Sequence, residues 1–253
     1  MKVMVDVVTV CRNAKEALQN TIESVRNEPA VSHYVIVDGA STDGTRELVS
    51  GYAKDVTEFI SEADSGISDA MNKAMALCSS DYIVFLHAGD VFLKNGALQS
   101  VAALLEREPV DIVSCPVLLG DASTGRLAVP RGFNWWMRFK TGVLHQGVVC
   151  SRRLFERIGG FDVSLKVAMD YEFFLRAYLA DASICYHTTP LSSMAPGGLS
   201  WRRDWPSLRA RLAEERLIHA RYGNRLGWRV LYAAYWSFYP AYKYVRTWPH
   251  TPV

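Results

Sequence analysis

The chain has 253 residues, 49% hydrophobic and 21% charged. That suits one large α/β domain, or a domain with a modest appendage, and excludes a disordered, collagen-like or disulfide-stapled chain. The net charge of +2 hides an asymmetry: residues 201–253 hold ten cations against three acids, a local +7 that leaves −5 on residues 1–200.

At the N-terminus, Met1-Lys2-Val3 runs straight into a strand-like block, with no charged segment, apolar stretch and cleavage site in series. No secretory leader is therefore predicted. Short runs rich in β-branched residues, at 3–10, 34–37, 56–60, 82–86 and 112–117, alternate with helix-like segments at 15–26, 42–53, 68–78 and 96–106. This alternation predicts βαβ units and a mostly parallel sheet covered on both faces. Ligands of such sheets bind at the carboxyl ends of the strands. Residues 120–170 are less periodic; a helix is expected over 169–179, a strand over 183–187, and a Pro/Gly-rich boundary loop over 190–198.

Beyond that loop, 207–222 reads as a basic helix with Leu208, Leu212, Leu217 and Ile218 on its apolar side. Residues 228–248 then carry nine of the chain's 29 aromatic residues. The longest uncharged stretch there, 230–242, is 13 residues, against the roughly 20 needed to span a bilayer. Five cysteines, Cys11, Cys78, Cys115, Cys150 and Cys185, form no C-x-x-C pair; the pattern points to reduced thiols in a cytosolic compartment and no zinc cluster.

Polar residues gather where the strands are expected to end. In 37–45, Ser41 or Thr42 can cap the following helix, which makes a plain capped turn one reading. Asp38 has no evident capping duty and can accept hydrogen bonds from a ligand's N–H or ribose hydroxyl. No G-x-G-x-x-G occurs there, and no Walker G-x-x-x-x-G-K-[ST] occurs anywhere. Asp90 closes Phe85-Leu86-His87-Ala88-Gly89-Asp90; it either caps a turn or holds a divalent cation against a diphosphate. Asp170 and Glu172 sit two apart on the 169–179 helix and so point to different faces. Asp170 is then either an electrostatic cap or a general base. His145 and Gln146 are structural, or else contact a ligand.

Ser61-Glu62-Ala63-Asp64-Ser65-Gly66-Ile67-Ser68-Asp69-Ala70-Met71-Asn72-Lys73-Ala74 is similar to the family 2 glycosyltransferase signature S-E-x-D-x-G-I-x-D-A-M-N-K-G. Residues 9–13, 37–45, 85–90, 145–146 and 159–172 continue the resemblance in order, over about residues 3–200. It is nearest to the branch that adds sugars to bacterial exopolysaccharide, O-antigen or glycolipid precursors.

The resemblance implies a GT-A fold: a nucleotide-binding, mostly parallel central sheet flanked by helices, here with a C-terminal helical basic and aromatic extension. It implies a catalytic domain at 1–200, with a nucleotide-sugar half at about 1–117 and an acceptor half at 118–200, followed by the tail at 201–253. The implied reaction is inverting transfer from a nucleotide-diphospho-sugar to a hydroxyl of a lipid-linked glycan. Thr9, Arg12 and Asp38 would hold the nucleoside, Asp64 and Asn72 the donor, Asp90 a Mg²⁺ or Mn²⁺, and Asp170 would be the base. His145 and Gln146 would touch acceptor or phosphate. Two positions depart from the pattern. His87 and Gly89 replace acids, and Met71 stands where many members have Arg, leaving Lys73 to supply the positive charge.

The basic aromatic tail suits an interfacial anchor on an anionic leaflet, which would place the protein in the cytoplasm on the inner face of the membrane. A packed hairpin or a homodimer element is the alternative. No nucleic-acid-binding motif accompanies the charge. Two other function classes are a sugar-nucleotide-forming nucleotidyltransferase, which should carry a Gly-rich loop that residues 9–13 lack, and a non-catalytic sugar-nucleotide-binding scaffold.

Overall fold

Every residue of Val5–Cys11 is buried, as expected of a β-branched run in the middle of a sheet covered on both faces. The computed structural model describes residues 2–120, 125–194 and 204–247. Arg202, Arg203, Trp248 and residues 195–198 of the expected boundary loop lie outside them. The chain divides into two compact units, 1–196 and 197–253.

In the first unit, β1 (Val5–Cys11), α1 (Lys15–Val25), β2 (Val31–Asp38), α2 (Thr45–Gly51), β3 (Glu58–Ser61), α3 (Ile67–Met75) and β4 (Tyr82–Phe85) alternate as expected. Then come β5 (Val91–Phe92), α4 (Ala97–Arg107), β6 (Ile112–Ser114), β7 (Val117–Leu119), β8 (Arg126–Ala128), β9 (Val148–Ser151), α5 (Arg152–Ile158), α6 (Met169–Leu179), β10 (Ile184–Tyr186) and β11 (Ser192–Met194). The main sheet has the order β10-β6-β9-β4-β1-β2-β3. All its pairings are parallel except those of β9, which runs antiparallel to β4 and β6. A second sheet has the order β5-β11-β7-β8. The helices seal the main sheet with apolar stripes at helical spacing, such as Leu18, Ile22 and Val25 on α1 and Leu98, Val101, Ala102 and Leu105 on α4.

Three expectations are corrected. The run 112–117 breaks at Cys115-Pro116 into two strands in different sheets, because proline has no N–H to continue a ladder. β9, with only four residues and no turn signal before it, was not anticipated. Neither Ser41 nor Thr42 caps α2. Asp43 takes the Thr45 amide at 3.1 Å and the Lys15 amide at 2.9 Å, tying the start of α2 to that of α1. The thiols, all free, show no pairing.

The second unit contains α7 (Trp205–Tyr222) and α8 (Leu226–Thr247), which pack on each other. Asp204 caps α7 by accepting from the Ser207 amide at 2.9 Å. Leu208, Leu212 and Ile218 are buried, whereas Leu217 is exposed.

Candidate active site

The carboxyl ends of β1, β2 and β3 meet at Asp38. Its carboxylate accepts from the Ser41 amide at 3.0 Å, the Ser61 hydroxyl at 2.6 Å and the Ser41 hydroxyl, and lies 3.7 Å from Cys11 Sγ. Burial, and then Asp38 itself, push the Cys11 thiol far up, so it stays neutral. Asp38 is 0% exposed. It therefore has a structural duty that the sequence did not reveal, shaping the loop from beneath; direct contact with a nucleoside requires Ser41 or Ser61 to yield a place. Thr9 is also 0% exposed, donating to the Leu86 carbonyl at 2.6 Å and lying 3.0 Å from the Tyr34 hydroxyl. With both bonds internal, it ties β1 to its neighbours.

Above Asp38 the chain opens. Gly39 lies where a side chain would collide with Asp64 Oδ2 and come within 3.3 Å of Arg12 Cδ. A Cβ here would push the Asp64 carboxylate aside. Arg12 is exposed and Asp64 half-buried, so one cation and one carboxylate converge over a bare patch of backbone. Asn13 stitches the rim, accepting from the Thr42 amide at 2.9 Å and donating its own amide to Ser41 Oγ at 2.7 Å.

The donor-loop residues have other tasks than those expected. Asn72 donates to the Phe161 carbonyl and accepts from the Phe161 amide, both at 2.8 Å. Both ends of its amide are taken up, so it ties α3 to the loop before α6. Lys73 pairs with Glu62 at 2.7 Å and with Asp69 at 3.6 Å; its hydrogen bond to Glu62 raises its pKa, and its charge is already matched. The cation that reaches the Ser65 carbonyl is Lys166. Its 101-residue separation left no signal in the sequence.

The loop over 158–161 is held from its other side by Arg176. This guanidinium donates to the carbonyls of Ile158 and Gly160 and forms a two-pronged pair with buried Glu172, at 2.8 and 2.9 Å. Glu172 is thus a structural anion. Asp170, two residues earlier in the first turn of α6, is half-buried and accepts from the Tyr171 amide at 2.7 Å. Asn72 and Arg176 together fix the approach to the helix that carries Asp170.

Asp90 follows β4 in a turn closed by its amide on the His87 carbonyl at 2.9 Å, with Gly89 at φ +98°. The His87 ring stacks on His145 with centroids 5.3 Å apart, and His145 stacks on Phe85 at 5.6 Å. Both nitrogens of His145 and Nδ1 of His87 are enclosed without a hydrogen-bond partner. Burial lowers the pKa to about 3 for His87 and about 4 for His145. His145 is packed in an aromatic cluster, the structural one of its two readings. Gln146 is half-buried, and its carbonyl accepts from Ser192 Oγ at 2.5 Å.

Among the described residues no group of three or more His, Cys, Asp or Glu side chains is placed to hold a metal. One carboxylate, Asp90, with His87 nearby fits a cation that takes its remaining ligands from phosphate oxygens and water, the usual Mg²⁺ arrangement.

Residues 6–156 match the model of the family described as Glycosyl transferase family 2. A relative named "PGL/p-HBAD biosynthesis glycosyltransferase", from Mycobacterium bovis (strain BCG / Pasteur 1173P2), is 30% identical over 179 residues, 66% of each chain. Residues 1–349 of S. aureus TarS in complex with UDP-GlcNAc superpose with a TM-score of 0.70 at 16% identity, covering 88% of this chain and 67% of that one. Mannosyltransferase PcManGT from Pyrobaculum calidifontis, in complex with GDP-Man and Mn²⁺, gives 0.63 at 19% identity, covering 98% and 83%.

Proposed function

The chain belongs to glycosyltransferase family 2 and is a glycosyltransferase, and on that premise we propose inverting transfer from a nucleotide-diphospho-sugar to a hydroxyl of a lipid-linked glycan. The donor occupies the nucleotide half, residues 1–117, and the acceptor the half at 118–200. One observation carries this reading: Arg12 and Asp64 converge over bare Gly39 at the strand ends, where the nucleotide of an open α/β sheet sits.

Asp170 removes the proton from the acceptor hydroxyl as its oxygen attacks the anomeric carbon from the face opposite the diphosphate. The bond to the diphosphate breaks through an oxocarbenium-like transition state, and the base needs no covalent sugar intermediate. Mg²⁺ or Mn²⁺ held by Asp90, with His87 beside it, would supply positive charge for the leaving diphosphate. Arg12 and Asp64 orient the nucleotide, and Lys166 holds the Ser65 loop against it.

The experiment is Asp170→Asn assayed with UDP-, GDP- and dTDP-sugars. Transfer should fall by roughly 10²–10⁴-fold, while the thermal shift given by the true donor persists. Near-wild-type turnover would put the base elsewhere. EDTA should abolish transfer and Mn²⁺ restore it; full activity in EDTA would remove the metal from the scheme.

Peripheral association with an anionic membrane surface belongs to the same reading. Leu231, Phe238, Tyr242 and Val245 recur at steps of seven, four and three residues on α8 and are half to three-quarters exposed. Among the described residues no helix is long and apolar enough to cross a membrane. An apolar stripe on a cationic hairpin suits a helix lying in the interface.

A further inference from the structure

Between α7 and α8 lies a cleft of about 750 Å³, lined by Arg216, His219, Asn224, Arg229, Tyr232 and Trp236 among others. Its floor is fixed. The Trp236 indole donates to His219 Nδ1 at 3.0 Å, and the His219 ring lies flat on Tyr232, with centroids 4.4 Å apart. His219 and Tyr232 are buried. The two arginines stand at the cleft with exposed side chains, and neither guanidinium has an ion pair or hydrogen bond among the described residues. The tail's three acids do not neutralise them: Asp204 caps α7, Glu215 is buried, and Glu214 does not line the cleft.

We propose that this cleft binds the phosphate of an anionic phospholipid headgroup at the bilayer surface. Two guanidinium groups without acidic partners match phosphate oxygens in charge and geometry. A Trp/Tyr floor suits the headgroup region, where amphipathic rings reside. Leu226 and Val230 bracket Arg229 on the first turns of α8 and are 76% and 61% exposed. Apolar side chains at the edge of an anion site favour a phosphate carried on acyl chains over one free in solution. The proposal rests on the membrane association put forward above and gives it an address.

The test is co-sedimentation of the full chain with vesicles of phosphatidylcholine alone, or with phosphatidylglycerol added. Wild type should bind the anionic vesicles. Arg216→Gln/Arg229→Gln should lose roughly thirtyfold in affinity, about fivefold for each cation. Arg209→Gln/Arg225→Gln, the same charge change outside the cleft, should lose threefold or less. Equal losses in the two double variants would show diffuse attraction and overturn the site. Failure of wild type to bind any vesicle would overturn the membrane reading as well, whereas transfer to a soluble acceptor, assayed separately, would leave the enzymatic reading standing.

A second measurement keeps both arginines in place. Titration of wild type with dihexanoyl phosphatidylglycerol should change a fluorescence signal that Trp236→Phe lacks, and dihexanoyl phosphatidylcholine should not. If inorganic phosphate saturates the same signal at equal concentration, the ligand is a soluble anion and the lipid proposal fails.

Discussion

His145 takes its character from the rings around it more than from its place in a motif. Its ring sits among Phe85, Phe161, Phe174 and His87 with neither nitrogen bonded. Its pKa falls to about 4 because burial disfavours the charged form. The unfolded chain takes up a proton near the ordinary 6.5 and the folded chain does not, so stability falls as pH drops from about 6.5 to about 4. His145→Phe should therefore flatten the acid limb of a melting-temperature profile and cost little at pH 7; an unchanged limb would assign the acid sensitivity to other groups. Arg12, Asp64, Asp90 and Asp170 were legible as candidates because polar residues at strand and helix ends are conspicuous. The duties of Asp38, Asn72 and Lys73 were not, because Ser41, Ser61, Phe161 and Glu62 claim their polar atoms only once the chain is folded.

Among elements, α6 is the best specified by sequence and the most dependent on tertiary support. Its bounds, Met169–Leu179, follow from a dense apolar run. Its position depends on the loop at 158–161, held between Asn72 of α3 and the Glu172–Arg176 pair. Gly160 is obligatory there, since a Cβ would collide with Asn72 Oδ1. Asn72→Ala leaves the Phe161 amide and carbonyl unpaired and should cost roughly 2–4 kcal/mol. Arg176→Ala strands buried Glu172 and should cost about 3–5 kcal/mol. Urea unfolding checks both, and each variant should also lower turnover by loosening the helix that carries Asp170. Wild-type stability in either would show that the clamp is redundant. The weakly legible elements were the short ones: β9 and β7 have too few residues for periodicity to register, and β9 with β4 and β6, and β7 with β11, pair across long stretches of sequence.

At the scale of the whole molecule, the charge asymmetry is the property most exposed to solution conditions. A +7 segment attracted to an anionic surface is screened as the Debye length shrinks from about 10 Å at 0.1 M salt toward 3 Å at 1 M. Raising NaCl from about 0.1 to 0.5 M should therefore release the protein from phosphatidylglycerol vesicles. Donor-induced thermal stabilisation should persist, because the proposed donor residues lie in the first unit, outside the +7 segment. Retention of vesicles at high salt would make the apolar stripe of α8 the dominant anchor.

By itself the sequence determined the alternating order of strands and helices, the carboxyl-end clustering of Arg12, Asp38, Asp64 and Asp90, and the charge of the tail. These are local properties, set by side-chain period, β-branching and composition. Tertiary structure alone decided which of those polar groups face the cleft and which are consumed in holding it. It put Lys166 beside Ser65, joined Asn72 to Phe161, and opened a cleft between α7 and α8 beside two arginines without acidic partners. Each of these contacts depends on which backbone donors and acceptors folding leaves within hydrogen-bonding reach, and separations of up to 101 residues along the chain carry no trace of that.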